Sequence, residues 1–133
     1  MEKKMFSGVE ILIAEDNIIN YTLLCEIVRH NGLGHYWAQN GLEVLDILAT
    51  HENIALILMD INMPEMDGIT ATKEIRKKGN NIPIIFQTAY NSDEDKKECF
   101  RAGGNEFLSK PIIKDMLFLV LNKYLNNSYV QQT

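Results

Sequence analysis

The chain has 133 residues, which is close to the usual size of a single folded domain. Its composition, 46% hydrophobic and 23% charged, is ordinary for a globular protein, and its net charge of −5 argues against a nucleic-acid-binding surface, which would be basic. No apolar run reaches the roughly 20 residues needed to span a bilayer, and the first residues are too polar for a signal peptide. We therefore expect one cytoplasmic domain without membrane contact.

The two cysteines, Cys25 and Cys99, fall within helical patterns and lack the spacing of metal ligands. This arrangement is typical of reduced, packed thiols in a reducing compartment.

Five short apolar runs predict strands. The third and fourth are almost continuous Ile, Leu, Met and Phe, which is typical of strands buried on both faces of a parallel sheet. The predicted strands are Glu10 to Ala14, His35 to Ala38, Ile54 to Met59, Ile82 to Phe86, and Glu106 to Leu108.

Segments with helical periodicity alternate with these runs. Capping residues are predicted at Asn17, Asp67 and Ser92, the last with Asp95 in a capping box. The predicted helices cover about 18–31, 41–51, 68–79, 92–103 and 112–125. Strict alternation of five strands and five helices predicts a three-layer α/β/α sandwich for residues 8–126, with short extensions at 1–7 and 127–133.

For two helices, the sequence predicts which residues face the sheet. In the first helix, an inner apolar stripe is predicted from Leu23, Leu24, Ile27 and Val28. In the last, the predicted inner residues are Leu117, Val120, Leu121 and Tyr124, which leaves Met116, Phe118 and Leu119 pointing sideways or outward as a possible partner surface.

Polar residues follow four of the five predicted strands. They are Glu15 with Asp16, Asp60, Thr88 and Lys110. The carboxyl ends of parallel strands meet at one edge of the sheet, so these groups are expected to converge. Three carboxylates there would repel one another, and one ammonium is too little to neutralise them. The pattern therefore predicts a site for Mg2+, which prefers carboxylates and water.

The same residue types suit phosphoryl transfer to a carboxylate. An aspartate oxygen can act as the nucleophile, while a metal, a lysine and a hydroxyl take the charge of the transferred group. Taken singly, each residue has an ordinary structural interpretation, such as a helix cap for Asp16 or a surface charge for Lys110. Their coincidence at successive strand ends favours a functional site.

Four stretches resemble the signature blocks of response-regulator receiver domains. They are Ile11-Leu-Ile-Ala-Glu-Asp-Asn17, Leu58-Met-Asp-Ile-Asn-Met-Pro-Glu-Met-Asp-Gly68, Gln87-Thr-Ala-Tyr90 and Phe107-Leu-Ser-Lys-Pro111. The resemblance covers about residues 8–126 and implies a five-stranded parallel sheet in the order 2-1-3-4-5, the flavodoxin-like receiver fold.

The resemblance also implies a role for each matching residue. Asp60 matches the phosphorylated aspartate. Glu15 and Asp16 match the acidic pair that holds Mg2+, with Asp16 as the direct ligand, and Asn62 matches the residue whose backbone carbonyl completes the metal shell. Glu15 stands where many members have Asp, and its longer side chain suits binding through water.

Further matches concern the switch and the lifetime of the phosphoryl group. Thr88 matches the switch hydroxyl, Phe107 the switch aromatic and Lys110 the lysine that pairs with the phosphoryl group. Pro111 matches a position with a cis peptide bond, and Asn62 and Tyr90 match positions that flank the path of the hydrolytic water.

The resemblance is to receivers at the C-terminus of hybrid sensor histidine kinases, and a stand-alone single-domain regulator is the alternative. The implied partners are a histidine kinase or a histidine phosphotransfer domain, which would donate the phosphoryl group. A second receiver or a neighbouring kinase domain would contact the face formed by the fourth helix, fifth strand and fifth helix. Such a domain is not an enzyme for a separate substrate, because it catalyses only its own phosphorylation and dephosphorylation.

The sequence disfavours three other classes of protein. A flavodoxin-like electron carrier needs a Ser/Thr/Gly-rich loop after the first strand, where Glu15-Asp16 would repel the flavin phosphate. A haloacid-dehalogenase-type phosphatase needs two Asp separated by one residue, which neither Asp16 nor Asp60 provides. A pseudo-receiver that binds partners without phosphorylation is disfavoured by the complete set of acids, Thr and Lys.

Overall fold

The structure, a computed structural model, describes residues 6–89 and 92–131, the last five of these by their backbone alone. Strands and helices alternate strictly in this part of the chain. The strands are β1 (Glu10–Ala14), β2 (Gly34–Ala38), β3 (Ile54–Asp60), β4 (Ile84–Thr88) and β5 (Glu106–Ser109). The helices are α1 (Ile18–His30), α2 (Gly41–Thr50), α3 (Gly68–Lys77), α4 (Asp93–Ala102) and α5 (Lys114–Gln131).

All four strand pairs are parallel, and the sheet order is β2-β1-β3-β4-β5. This confirms the predicted fold. The register aligns Ala14 of β1 with Ala38 and Met59, and Asp60 of β3 with Gln87 of β4. The carboxyl ends of the strands therefore form one edge, where the segments that carry the candidate site begin.

The core consists of two apolar clusters, one on each side of the sheet. One contains Val44 of α2, Ile75 of α3 and Cys99 of α4, and the other contains Leu24 of α1 and Leu121 of α5. Successive residues of a strand point to opposite faces, so β3 and β4 supply both clusters, and every residue of these strands except Ala55 is buried. This confirms that their continuous apolar runs belong to central strands.

The predicted caps begin their helices as expected. Asn17 Oδ1 accepts hydrogen bonds from the backbone N–H groups of Ile19 and Asn20, and Asp67 Oδ1 accepts one from that of Thr70. The capping box of α4 is also present. Because capping side chains satisfy N–H groups that have no partner inside the helix, they fix where each helix starts.

Two expectations about helices were wrong. Leu23 is 58% exposed, because α1 turns Leu24 and Val28, four residues apart, toward the sheet and leaves Leu23 beside the contact. Helix α5 continues to Gln131, although the sequence predicted that the helix ends near residue 125 and is followed by a short extension. No Gly or Pro follows Pro111, so nothing in the sequence ends this helix.

Both cysteines lie in the described part of the chain, and neither forms a disulfide there. Cys25 and Cys99 are free thiols, and burial, followed by the charges of Glu98 and Asp95, raises the pKa of Cys99 to about 11. Among the described helices, none combines the length and apolarity needed to cross a bilayer.

Gly68 gives a first testable prediction. A Cβ atom there would lie 2.1 Å from the backbone oxygen of Asp60 and 2.8 Å from Met59 Cγ, so Gly68→Ala should lower the free energy of unfolding by about 3 kcal/mol or more. Gly79→Ala is the matched control. A Cβ atom at residue 79 would have no atom within 4 Å, so this substitution should cost only the strain of a φ of +80°, about 1 kcal/mol. Equal losses in chemical denaturation would contradict the close approach of α3 to Asp60.

Candidate functional site

Three acidic side chains meet at the carboxyl edge of the sheet. Oxygens of Glu15, Asp16 and Asp60 lie within 4.8 Å of one another. Glu15 and Asp16 directly follow β1, and Asp60 ends the adjacent β3. Glu15 and Asp60 are buried, at 0% and 5% exposure, whereas Asp16 is exposed. The cluster is therefore open to solvent on the side of Asp16.

Glu15 is held in place by its backbone as well as its side chain. Its N–H donates to the carbonyl oxygen of Ala38 at 2.9 Å, and its own carbonyl oxygen accepts from Trp37 Nε1 at 2.8 Å. Trp37 in turn stacks on Tyr21, with ring centroids 3.9 Å apart and planes 8° from parallel. Residues of β2 and α1 thus fix the position from which the Glu15 carboxylate projects.

Lys110 bridges two of the three acids. Its Nζ donates to Glu15 Oε1 at 2.8 Å and to Asp60 Oδ2 at 3.2 Å. Its backbone N–H donates to the carbonyl oxygen of Thr88 at 2.9 Å, and the Lys110–Pro111 peptide bond is cis, as expected. The structure therefore brings together Glu15, Asp16, Asp60 and Lys110, as predicted from the strand ends.

The cluster carries more negative than positive charge, with three acids and the single ammonium of Lys110. Burial, and then the charge of Glu15, raises the pKa of Asp60 to about 6, although Lys110 acts in the opposite direction. Burial disfavours the Lys110 ammonium, but its hydrogen bond to Glu15 and the charges of both acids raise its pKa overall. One ammonium faces three acids, so ionised Asp60 is poorly compensated.

The donor set fits a hard divalent cation. Three convergent carboxylates with access to water are the ligands that Mg2+ takes in proteins. The oxygens of Glu15 are engaged by Lys110 and by the backbone N–H of Asn17, at 3.1 Å from Oε2. Asp16 is exposed, whereas the oxygens of Glu15 already accept hydrogen bonds, and this difference favours Asp16 as the direct ligand. Asn62, just beyond β3, is also exposed.

The remaining predicted residues lie around this cluster. Thr88 is 1% exposed at the end of β4. Phe107 is half-buried on β5, with Lys96 Nζ 5.7 Å from its ring centroid. Tyr90, which was predicted to flank the path of the hydrolytic water, lies outside the described residues, so its role stays a prediction.

Sequence reasoning missed one residue next to the site. Gln87 precedes Thr88, pairs in register with Asp60, and is 1% exposed. Its side-chain Oε1 and Nε2 have no hydrogen-bond partner among the described residues. The available signal was a polar residue directly after the buried run Ile84-Ile85-Phe86.

Comparison with known proteins identifies relatives of the whole domain. The sequence model of the family described as "Response regulator receiver domain" matches residues 11–122. Histidine protein kinase 1 of Candida albicans is 38% identical over 126 residues, which are 86% of this chain and 5% of that protein. Two-component response regulator 24 of Arabidopsis thaliana is 35% identical over 125 residues, which are 94% of this chain and 88% of that protein.

Solved structures agree with this assignment. The receiver domain of sensor histidine kinase PA1611 from Pseudomonas aeruginosa, with a magnesium ion in its active-site cleft, superposes with a TM-score of 0.82 and 34% identity over 90% of this chain and 99% of that one. The receiver domain of Ssk1 from Saccharomyces cerevisiae, solved in complex with the histidine phosphotransfer protein Ypd1, gives 0.83 and 31% over 91% of each. The chain therefore belongs to the response regulator receiver domain family and is a phosphorelay receiver.

Proposed function

We propose that Asp60 is the residue that accepts the phosphoryl group. The observation that carries this assignment is the ion pair between Lys110 Nζ and Asp60 Oδ2 inside the acidic cluster. It anchors a buried carboxylate at the end of a central strand, beside two further acids. The pKa of about 6 leaves Asp60 ionised at neutral pH, as a nucleophile must be.

The transfer itself is a displacement at phosphorus. A carboxylate oxygen of Asp60 forms a bond to the phosphorus of a phosphohistidine as the P–N bond breaks, and the imidazole nitrogen keeps the electron pair and takes a proton from solvent. Hydrolysis of the acyl phosphate by water later returns inorganic phosphate and the carboxylate.

The surrounding residues reduce the cost of the added charge. When bound by Glu15, Asp16, Asp60 and the Asn62 carbonyl, Mg2+ supplies positive charge against the transferred group. Lys110 supplies an ammonium at Oδ2 of Asp60. Thr88, at the end of the neighbouring strand, supplies a hydroxyl that turns toward the new phosphoryl oxygens.

The same movement links the site to a surface of the domain. Thr88 on β4 lies in register with Ser109 on β5, two residues from Phe107. We expect Phe107 to turn inward into space that Thr88 vacates, which alters the face formed by α4, β5 and α5. A phosphoryl group adds roughly −1.5 to −2 charges, enough to bias a bistable loop.

This face already carries exposed apolar residues. Phe100, Ile113, Met116 and Leu119 are 49–62% exposed, and a shallow cavity of about 260 Å³ lies between β5 and the start of α5. Phe118, which was expected to point sideways or outward, is half-buried beside Phe6, with ring centroids 6.3 Å apart. Apolar patches of this kind mark interaction sites, so a second receiver or a kinase domain is the proposed partner here.

The relatives suggest the wider context. The Candida kinase is a much longer protein that contains a matching segment, which supports a hybrid histidine kinase as the parent. A cytoplasmic location of this domain is part of the same proposal. The Arabidopsis regulator is matched over most of its length and supports a stand-alone regulator as the alternative. The Ypd1 complex of a structural neighbour supports a histidine phosphotransfer domain or kinase as the phosphodonor.

Phosphorylation is tested by intact mass spectrometry after incubation with acetyl phosphate and Mg2+. The wild type should gain one phosphoryl group and Asp60→Asn none. The matched control Asp46→Asn, an exposed residue of α2, should be labelled normally. Asp16→Asn should be labelled more slowly, since the metal site loses a carboxylate. Equal labelling of the wild type and Asp60→Asn would show that the acceptor is elsewhere.

The strain in the cluster predicts that the inactive variant is the more stable one. The pKa of Asp60 in the folded protein is about 6, above the ordinary value of about 3.9, so the stabilisation present at low pH is lost as pH rises through 6. Without Mg2+ near pH 7.5, Asp60→Asn should therefore raise the free energy of unfolding by roughly 1–3 kcal/mol, and by about 1 kcal/mol less near pH 5. A variant that is less stable at both pH values would contradict this.

The switch is tested with beryllofluoride, a mimic of the phosphoryl group. With Mg2+ present, a crystal structure of this complex should show Thr88 Oγ1 turned toward the fluorides and Phe107 more buried than in the free protein. Thr88→Ala should still be labelled by acetyl phosphate, but Phe107 should keep its original position. If both residues remain unmoved in the wild type, this switch does not operate.

A further inference from the structure

Gln87 is a buried amide beside the acceptor site. It is 1% exposed in a central strand, and neither Oε1 nor Nε2 has a hydrogen-bond partner among residues 6–89 and 92–131. Buried polar groups in native proteins nearly always have a partner, and an exception calls for a specific explanation. An apolar side chain of similar length would fill the same space without this cost.

A small cavity lies next to this amide. It has a volume of about 40 Å³ and is bounded by α1 and the segment after β5. Gln87, Asn20 and Lys110 supply the polar groups of its wall. Only about 10–15 Å³ by this measure accommodates a water-sized group, so the cavity has room for a lysine ammonium.

Lys110 also has a reason to move. In this structure its Nζ occupies oxygens of both Glu15 and Asp60, two of the three acids that would hold a divalent cation. An ammonium and a cation at the same carboxylates compete for the same lone pairs and repel each other. This repulsion favours a position of Lys110 that releases Glu15, and a buried ammonium that loses an acceptor needs a new one.

We propose that Gln87 is a positioning residue that receives the Lys110 ammonium when a divalent cation binds. Gln87 Oε1 accepts a hydrogen bond from Lys110 Nζ, which leaves Glu15 and moves toward the cavity that Lys110 and Gln87 both line. Lys110 then has two positions: on the acids in the metal-free protein, and on Gln87 in the loaded protein, still beside the oxygens of Asp60. The inference rests on the metal site of the proposed function and assigns a role to the otherwise unmatched amide.

Mg2+ affinity tests this role without any phosphoryl transfer. The fluorescence of Trp37, the single tryptophan, reports on the site because its Nε1 donates to the carbonyl oxygen of Glu15. Gln87→Met keeps the length of the side chain but removes the acceptor, so the Kd for Mg2+ should rise by roughly tenfold, the equivalent of one hydrogen bond to a charged group. Gln87→Glu keeps an acceptor and should restore wild-type affinity or exceed it. Gln39→Met, at an exposed position, should bind like the wild type.

Two measurements keep the outcome unambiguous. In the absence of metal, the thermal midpoint of Gln87→Met should be unchanged or higher, which separates a lost acceptor from a damaged fold. A crystal structure of the wild type with Mg2+ should place Lys110 Nζ within hydrogen-bonding distance of Gln87 Oε1. A loaded structure with Lys110 still on Glu15, or equal Kd values for the wild type and Gln87→Met, overturns the role of Gln87. A wild type that binds no Mg2+ overturns the metal site itself.

Discussion

The ion pairs of Lys110 with Glu15 and Asp60 are the interactions on which the rest of the site depends. They join residues 95 and 50 positions apart in the chain, at side chains that are almost entirely shielded from water. A buried ion pair is worth little as a source of stability, because desolvation offsets the attraction. Here it makes a cluster of acids tolerable, and it leaves that cluster short of positive charge.

That shortage connects the fold to the function. A parallel sheet of order β2-β1-β3-β4-β5 places the ends of β1 and β3 side by side, so the acids on these ends cannot avoid one another. Burial, and then the repulsion from Glu15, raises the pKa of Asp60, so an ionised Asp60 is stabilised by additional positive charge beside it. Holding an ionised Asp60 in this position therefore lowers the stability of the fold, a cost that is common at functional sites.

The contacts around the cluster divide into rigid and movable parts. Glu15 is fixed through Trp37, which is itself stacked on Tyr21. Lys110, in contrast, reaches the acids with a flexible side chain. It lines a cavity together with Gln87, whose amide has no hydrogen-bond partner among the described residues. Under the proposed function and the inferred role of Gln87, the fixed Glu15 and the flexible Lys110 would allow the same residues to serve the metal-free, metal-loaded and phosphorylated states.

The sequence by itself determined the alternation of elements, their caps and the gathering of Glu15, Asp16, Asp60 and Lys110 at one edge of the sheet, because these depend on local periodicity and on which residues follow each strand. It did not determine the facing of Leu23, the length of α5 or the packing of Phe118 on Phe6. The sequence also did not predict the cavity that Gln87 lines. Helix rotation, contacts between distant segments and the hydrogen-bond partners of a buried group depend on which elements pack together, and only the tertiary structure decides that.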